Sequence, residues 1–264
     1  MQKEPTTLRL ERSGDGFLTI TLDRAETRNA MNTQMGMELR DIFVPLQFQP
    51  GEARCIVVTG AGDKAFCAGG DLKERDGMTD AQWRAQHAIF EEAIYAVMNC
   101  TVPVIAAVNG AAFGGGMELA LACDFIYAAK RARFAMSETS LGIIPGCGGT
   151  QNLPRAVGER RAKELILSAR PFTADEAFDW GMVNEVCEDA ELMPRTLEIA
   201  RRICGNGPVA VRQAKKAIHS GLQTDLRTGL AFEIEAYNRT VVTEDRLEGV
   251  KAFGEKRKPN FKGK

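Results

Sequence analysis

Apolar and polar residues alternate over Leu8-Arg9-Leu10-Glu11 and over Phe17-Leu18-Thr19-Ile20-Thr21-Leu22, the period of a strand. Ser13-Gly14-Asp15-Gly16 supplies the turn between them, so the chain opens on a predicted hairpin. Asn29 is placed to cap a helix running from about Ala30 into the forties. Cys55-Ile56-Val57-Val58-Thr59-Gly60 is apolar without alternation, the pattern of a parallel strand buried on both faces. Asp80 is placed to cap a helix through about Asn99, and Val104-Ile105-Ala106-Ala107-Val108 repeats the buried-strand pattern before Asn109-Gly110. Gly114-Gly115-Gly116 open a helix that continues through Ala122, and Asp124-Phe125-Ile126-Tyr127-Ala128 returns as a strand.

Strand, helix and strand in alternation predict an α/β fold whose loops carry function. From about Glu159 strand signals largely vanish, and helical patterns occupy 159–168, 174–180, 189–204, 208–221, 224–241 and 243–254. Gly205-Asn206-Gly207-Pro208 punctuates two of them, so the last sixty or so residues read as a helical appendage. No low-complexity tract or sequence repeat appears, although strand-strand-helix units could repeat beneath sequence detection.

Composition narrows the chemistry. The 264 residues suffice for one large domain with a sizeable core, and a formal net charge of -1 argues against nucleic acid or an anionic membrane as the main partner. Two histidines, His87 and His219, cannot build a three-His zinc site, and no G-x-S-x-G elbow is present, so neither a metal site nor a serine triad is expected. The seven cysteines lack a C-x-x-C pair and read as buried apolar residues in a reducing compartment, here the cytoplasm, with a reactive thiol as the lesser alternative. Met1-Gln2-Lys3-Glu4-Pro5 precedes no apolar run of the secretory kind, and the longest apolar stretch, Val102 to Ala129, carries Asn109, Glu118 and Asp124 and does not read as a membrane span. Carboxylates and backbone amides are the tools that remain.

Three windows offer them. Val108-Asn109-Gly110-Ala111-Ala112-Phe113-Gly114-Gly115-Gly116-Met117-Glu118 puts three glycines at a strand-to-helix junction, where N–H groups approach an oxyanion closely. Alone, the triplet serves tight helix-to-sheet packing equally well. No Gly-Lys-Ser/Thr follows and the G-x-G-x-x-G pattern fails, so neither a Walker loop nor a dinucleotide fingerprint is present. Glu118 follows one turn later amid apolar residues, where desolvation raises a carboxyl pKa toward the general acid/base range; the competing reading is a surface Glu favoured by the helix dipole. Glu138 precedes the Gly-rich run Gly142 to Gly149 and is a candidate partner for Glu118, though alone it fits an ordinary loop. Gly69-Gly70 before a helix-like Asp71-Leu72-Lys73-Glu74 offers a second amide that could converge with the triplet's on one oxygen.

These blocks, A-F-C-A-G-G-D-L-K, then N-G-x-x-x-G-G-G-M-E-L-A-L-A-C-D, then S-E-x-x-L-G-I-I-P-G-C-G-G-T-Q, resemble the crotonase superfamily of enoyl-CoA hydratases and isomerases. The likeness runs from Leu22-Asp23-Arg24 to Glu255-Lys256-Arg257-Lys258-Pro259. It implies an α/β spiral of strand-strand-helix units, with a core over 1–200 and a C-terminal helical trimerisation region over 201–264. It implies an acyl-CoA thioester, whose CoA enters as part of the substrate with no further cofactor, and a carbonyl polarised by the amides of Gly70 and Gly115. In the hydratase branch Glu118 deprotonates the attacking water, Glu138 is the acid toward Cα, and the Gly146 amide helps fix that water. CoA contacts are implied for Arg28, Ala30, Ala68, Asp71, Leu72 and Lys73. Phe253 and Lys256 match a tail that reaches a neighbouring subunit's CoA, while a Lys-rich tail also serves solubility.

Within the superfamily, Leu72-Lys73-Glu74-Arg75, Ala162 to Arg170, Gly229-Leu230-Ala231 and Asp245 to Gly249 look like the methylglutaconyl-CoA hydratases, in fatty-acid or branched-chain amino-acid metabolism. RNA binding, which one relative achieves through lysines on its first long helix, is not carried over, because Ala30 to Gln49 contains no Lys and one Arg. Ser137 replaces a proline that many hydratases carry before the second glutamate, which leaves the acyl group open. The expected activity is hydration of a short or branched 2-enoyl-CoA, with 3-methylglutaconyl-CoA as a candidate, by a trimer or hexamer. The alternatives are an isomerase, lyase or decarboxylase on the same oxyanion hole, or a non-catalytic acyl-CoA or RNA-binding module.

Overall fold

The computed structural model describes residues 4–264, so residues 1–3 of the N-terminal segment lie outside the described residues. In chain order the first half comprises β1 (Leu8–Arg12), β2 (Phe17–Leu22), α1 (Thr33–Leu46), β3 (Cys55–Gly60), β4 (Ala65–Cys67), α2 (Leu72–Arg75), α3 (Asp80–Met98), β5 (Val104–Val108), β6 (Ala111–Phe113), α4 (Gly115–Ala122), β7 (Phe125–Ala129) and β8 (Arg133–Ala135). The second half continues with α5 (Gly149–Val157), α6 (Glu159–Ser168), β9 (Phe172–Thr173), α7 (Ala174–Asp179), β10 (Glu185–Cys187), α8 (Leu192–Cys204), α9 (Pro208–Gly221), α10 (Leu226–Val241) and α11 (Glu244–Gly254).

Two sheets result, a larger one in the order β1-β2-β3-β5-β7-β10 and a smaller one in the order β4-β6-β8-β9. Apart from the β1–β2 hairpin and the β8–β9 pair, all pairings are parallel. The repeat is visible in this order: β3-β4, β5-β6 and β7-β8 each lay one strand in the larger sheet and the next in the smaller. The larger sheet is apolar on both faces, as its uninterrupted strands require. Ile56, Val58, Val104, Ala106 and Val108 join the main core with α1, α3 and α4, whereas Cys55, Val57, Ile105 and Ala107 point the other way onto Leu192, Ala200 and Cys204 of α8. Full burial of each Ile or Val contributes roughly 1.5–3 kcal/mol, which holds the strand ends that carry the site in place.

The helix starts differ from the sequence reading. Asn29 is not a cap: it is fully buried, with Nδ2 donating to the Ala61 and Ala65 carbonyls and Oδ1 accepting from the Arg24 amide. Asn32 caps α1 instead, accepting from Met35 N. Asp80 is the first residue of α3, and Thr79 caps it in a reciprocal pair with Gln82. The smaller sheet and the strands β9 and β10 were not apparent from periodicity, because they are only two or three residues long.

Candidate active site

The β6-to-α4 junction is shaped by its glycines. Gly114 has φ 50 and ψ -125, a conformation open to glycine, and a Cβ on Gly116 would lie 2.1 Å from the Cys67 carbonyl oxygen. The triplet therefore serves close packing of α4 onto β4 at Gly116 and frees an amide at Gly115. The second loop is locked by Met31 N donating to Gly69 O at 2.7 Å and Asp71 N donating to Met31 O at 2.9 Å. A Cβ on Gly115 would lie 3.9 Å from Gly70 N, so these two loops bring the Gly70 and Gly115 amides together. Among the described residues neither amide has an acceptor.

The two glutamates flank this pair. Glu118, one turn into α4, is only 3% exposed, and its Oε1 accepts from Cys147 N at 2.7 Å and Gly149 N at 2.8 Å. Burial raises its pKa, opposed by those two amides and by His87. The surface-Glu alternative is thereby overturned. Glu138 begins a 3-10 turn, Glu138–Leu141, and is 8% exposed, with a buried Oε2 that has no partner among the described residues. Burial pushes its carboxyl up to about 7, with the Glu118 charge adding to the rise. A Cβ on Gly114 would lie 3.1 Å from Glu138 Oε1, and one on Gly115 would lie 4.0 Å from Glu118 Oε2. Both carboxylates thus reach the triplet that offers the amide. Two carboxyl groups and two open amides around one point can bind a carbonyl oxygen and move protons at its neighbouring carbons.

The remaining candidates fall in several places. The Gly146 amide has no acceptor among the described residues and lies on the loop whose Cys147 and Gly149 amides hold Glu118. Arg28, in the left-handed region at φ 56, and Leu72 and Lys73 are exposed near the Gly69–Asp71 loop, Ala68 is half-buried, and Ala30 is buried. Ala68 N donates to Arg28 O, which ties these segments together. Asp71 is turned inward: Oδ2 pairs with Arg24 at 2.9 Å and Oδ1 caps α2. Its side chain builds the loop, and its backbone is committed too, with N–H on Met31 O and the carbonyl accepting from Arg75 N. Phe253, 87% exposed, and Lys256 lie at the end of α11, and neither side chain bonds to a site residue within this chain.

Two residues beside the site escaped the sequence reading. The His87 ring packs on Gly146 so closely that a Cβ there would lie 2.5 Å from His87 Cε1. Arg75 is 9% exposed, and a Cβ on Gly70 would lie 3.5 Å from its Cζ. Both residues lie far from the glutamates in sequence, and only the fold brings α2 and α3 over the site. All seven cysteines are buried and unpaired, and burial together with the Glu118 charge pushes the Cys147 thiol up, against a reactive role. Among the described residues no group of three or more His, Cys, Asp or Glu could hold a metal ion, and no helix is long and apolar enough to cross a membrane.

A doubly sheeted strand-strand-helix spiral with two converging amides and two buried glutamates defines a class of enzyme, and sequence comparison gives the family. The enoyl-CoA hydratase/isomerase family model matches residues 12–264. The chain is 42% identical over 258 residues to the mitochondrial methylglutaconyl-CoA hydratase of Mus musculus, covering 96% of this chain and 82% of that one. It is 41% identical over 242 residues to the crotonyl-CoA hydratase of Syntrophomonas wolfei, covering 92% and 93%. The crystal structure of an enoyl-CoA hydratase from Bacillus anthracis superposes with a TM-score of 0.95 at 45% identity, covering 98% of this chain and all of that one. The chain belongs to the enoyl-CoA hydratase/isomerase family and is an enzyme, a hydro-lyase of that family.

Proposed function

We propose that this enzyme adds water across the 2,3 double bond of a short or branched 2-enoyl-CoA thioester, with Glu118 and Glu138 as its acid/base pair. The observation that carries this reading is the contrast between the carboxylates. Burial raises both, but Glu118 is held by two backbone amides that favour its ionised form, as a base requires, whereas Glu138 has an unpartnered buried oxygen and is raised to about 7, as an acid near neutrality requires. The thioester oxygen accepts from the Gly70 and Gly115 amides. Glu118 takes a proton from water as its oxygen bonds to Cβ, charge passes to the thioester oxygen as an enolate, and Glu138 delivers a proton to Cα. The Gly146 amide helps orient the water.

The CoA portion lies over the exposed Arg28, Leu72 and Lys73, with Ala30 and Ala68 beneath. The unpaired buried cysteines fit a reducing cytoplasm. The helices over 201–264 form an oligomerisation region: Leu226, Leu230, Ile234 and Tyr237 make an exposed apolar stripe on α10, of a kind that marks a subunit interface. Phe253 and Lys256 would then meet the CoA of a neighbouring subunit.

Incubation with crotonyl-CoA in ¹⁸O-labelled water tests the reaction. Loss of the enoyl chromophore with one labelled oxygen in a 3-hydroxyacyl product is expected. An unlabelled isomer, or no reaction with any enoyl-CoA of a panel, would overturn it.

A further inference from the structure

The proposed base is sealed from solvent. Glu118 is 3% exposed, its Oε1 is taken by two amides, and Met117, Leu119, Ala120 and Ala122 around it on α4 are apolar and buried. After taking a proton from water, Glu118 has to lose it before the next turnover, and a carrier between the carboxyl and solvent shortens that route. The neighbouring groups narrow the choice of carrier. Glu138 is the acid of the same site, the Arg75 guanidinium on α2 keeps its proton, and burial with the Glu118 charge pushes the Cys147 thiol up. Along α3, burial and the Glu91 charge push the Tyr95 phenol up, and Glu91 itself lies one turn beyond His87. His87 is the group on this helix whose charge opposes the rise at Glu118.

The geometry agrees. A Cβ on Gly146 would lie 2.5 Å from His87 Cε1 and 2.7 Å from His87 Nε2, so the ring rests on the Gly146 backbone. Gly146 precedes Cys147, whose amide donates to Glu118 Oε1 at 2.7 Å, and the imidazole therefore stands one residue along the loop from the carboxylate's anchor. His87 is half-buried, between the sealed site and solvent, and among the described residues neither ring nitrogen has a hydrogen-bond partner. An imidazole buried for packing spends a nitrogen on a carbonyl or a carboxylate; here both stay open to water. The helix beneath is fixed, because Phe90 of α3 packs on Gly36 of α1 so closely that a Cβ there would lie 2.6 Å from its ring.

We infer that His87 is a proton-relay residue, which carries the proton won by Glu118 out to solvent and so resets the base between turnovers. The inference rests on the hydratase reading and deepens it. In the reset step the O–H bond of the Glu118 carboxyl breaks and its proton passes, directly or through one water, to an open imidazole nitrogen. The imidazolium then releases a proton to solvent, which leaves Glu118 a carboxylate and the imidazole neutral. Glu138 regains from solvent the proton it gave to Cα, so one water is consumed and no net proton. His87 acts through Glu118 and bonds to no substrate atom.

The test follows crotonyl-CoA hydration by the native enzyme, His87→Gln and His87→Asn, in a single turnover with enzyme in excess and at steady state, in dilute buffer and with added imidazole. The single turnover starts from an ionised Glu118, so both variants should match the native rate within about 2-fold, whereas their kcat in dilute buffer should fall by about 10-fold or more. Imidazole should restore that kcat as its concentration rises and leave the native kcat unchanged. A purely structural role would not produce this pattern, because a displaced Gly146 loop slows the single turnover as well. A kcat in dilute buffer close to the native value in both variants would overturn the inference and leave the hydratase reading intact. Equal losses in single and steady-state turnover that imidazole does not relieve would also overturn it, making His87 a packing residue on Gly146. A native enzyme that hydrates no enoyl-CoA would overturn the hydratase reading itself. The side chain is half-buried and makes no hydrogen bond, so both variants should fold, and either one decides.

Discussion

The carboxyl of Glu138 links the chemistry of the site to the stability of the fold. Its pKa is raised from the ordinary carboxyl value to about 7, chiefly by burial and further by Glu118. The folded state thus binds a proton that the unfolded state has released, and stability falls as pH rises from the ordinary carboxyl range through about 7. Glu138→Gln removes that ionisation and should be more stable than the native protein at pH 8, by up to about 3 kcal/mol, with the advantage disappearing in acid. Urea unfolding at both pH values measures it, and a constant difference across pH would contradict the raised pKa. In the proposed mechanism the same proton governs turnover. Hydration needs Glu138 protonated, so its rate should fall as pH rises through about 7, with the apparent value belonging to the coupled pair. A hydration profile that stays flat through neutrality would remove Glu138 from the acid role.

Between elements, the contacts that hold the site are few and specific. A Cβ on Gly116 would collide with the Cys67 carbonyl at 2.1 Å, so Gly116→Ala should separate α4 from β4 and cost roughly 3 kcal/mol or more in thermal or urea unfolding. Lys215 ties α9 to the larger sheet by donating to Asp124 Oδ2 at 2.7 Å and to the Val102 carbonyl at 2.9 Å. Lys215→Met leaves a partly buried carboxylate without its cation and should cost about 1–3 kcal/mol by the same measurement. Legibility in the sequence followed element length. Long apolar runs such as Val104–Val108, and the helices from Glu159 onward, were apparent because their periods extend over enough residues to register. The smaller sheet was not, since Ala65–Cys67 and Ala111–Phe113 are too short for a period and are selected by glycines that admit close backbone approach. Asn29 misled for a related reason: its amide is spent inside a loop, a use that resembles capping in sequence but not in structure. Glu118, Glu138, Gly70 and Gly115 were legible as local motifs, whereas Arg75 and His87 lie beside the candidate site only because α2 and α3 fold over it.

For the whole molecule, the exposed stripe on α10 and the further apolar residues Ile218 on α9 and Leu222 just after it are more than a single chain needs. Light scattering should find the native protein as a trimer or hexamer, and Leu230→Lys with Ile234→Lys should shift it toward single chains; a native monomer would remove the interface. Near-neutral charge and two histidines, which at first only excluded metal and histidine-triad chemistry, fit an enzyme that draws its acid and base from glutamates and its electrophile from backbone amides. That division of labour is tested most directly by the turnover number with crotonyl-CoA for the native enzyme, Glu118→Gln and Glu138→Gln. Each substitution should lower it by about 10²–10⁴-fold in a protein that remains folded, and undiminished turnover in both would contradict the two-glutamate mechanism.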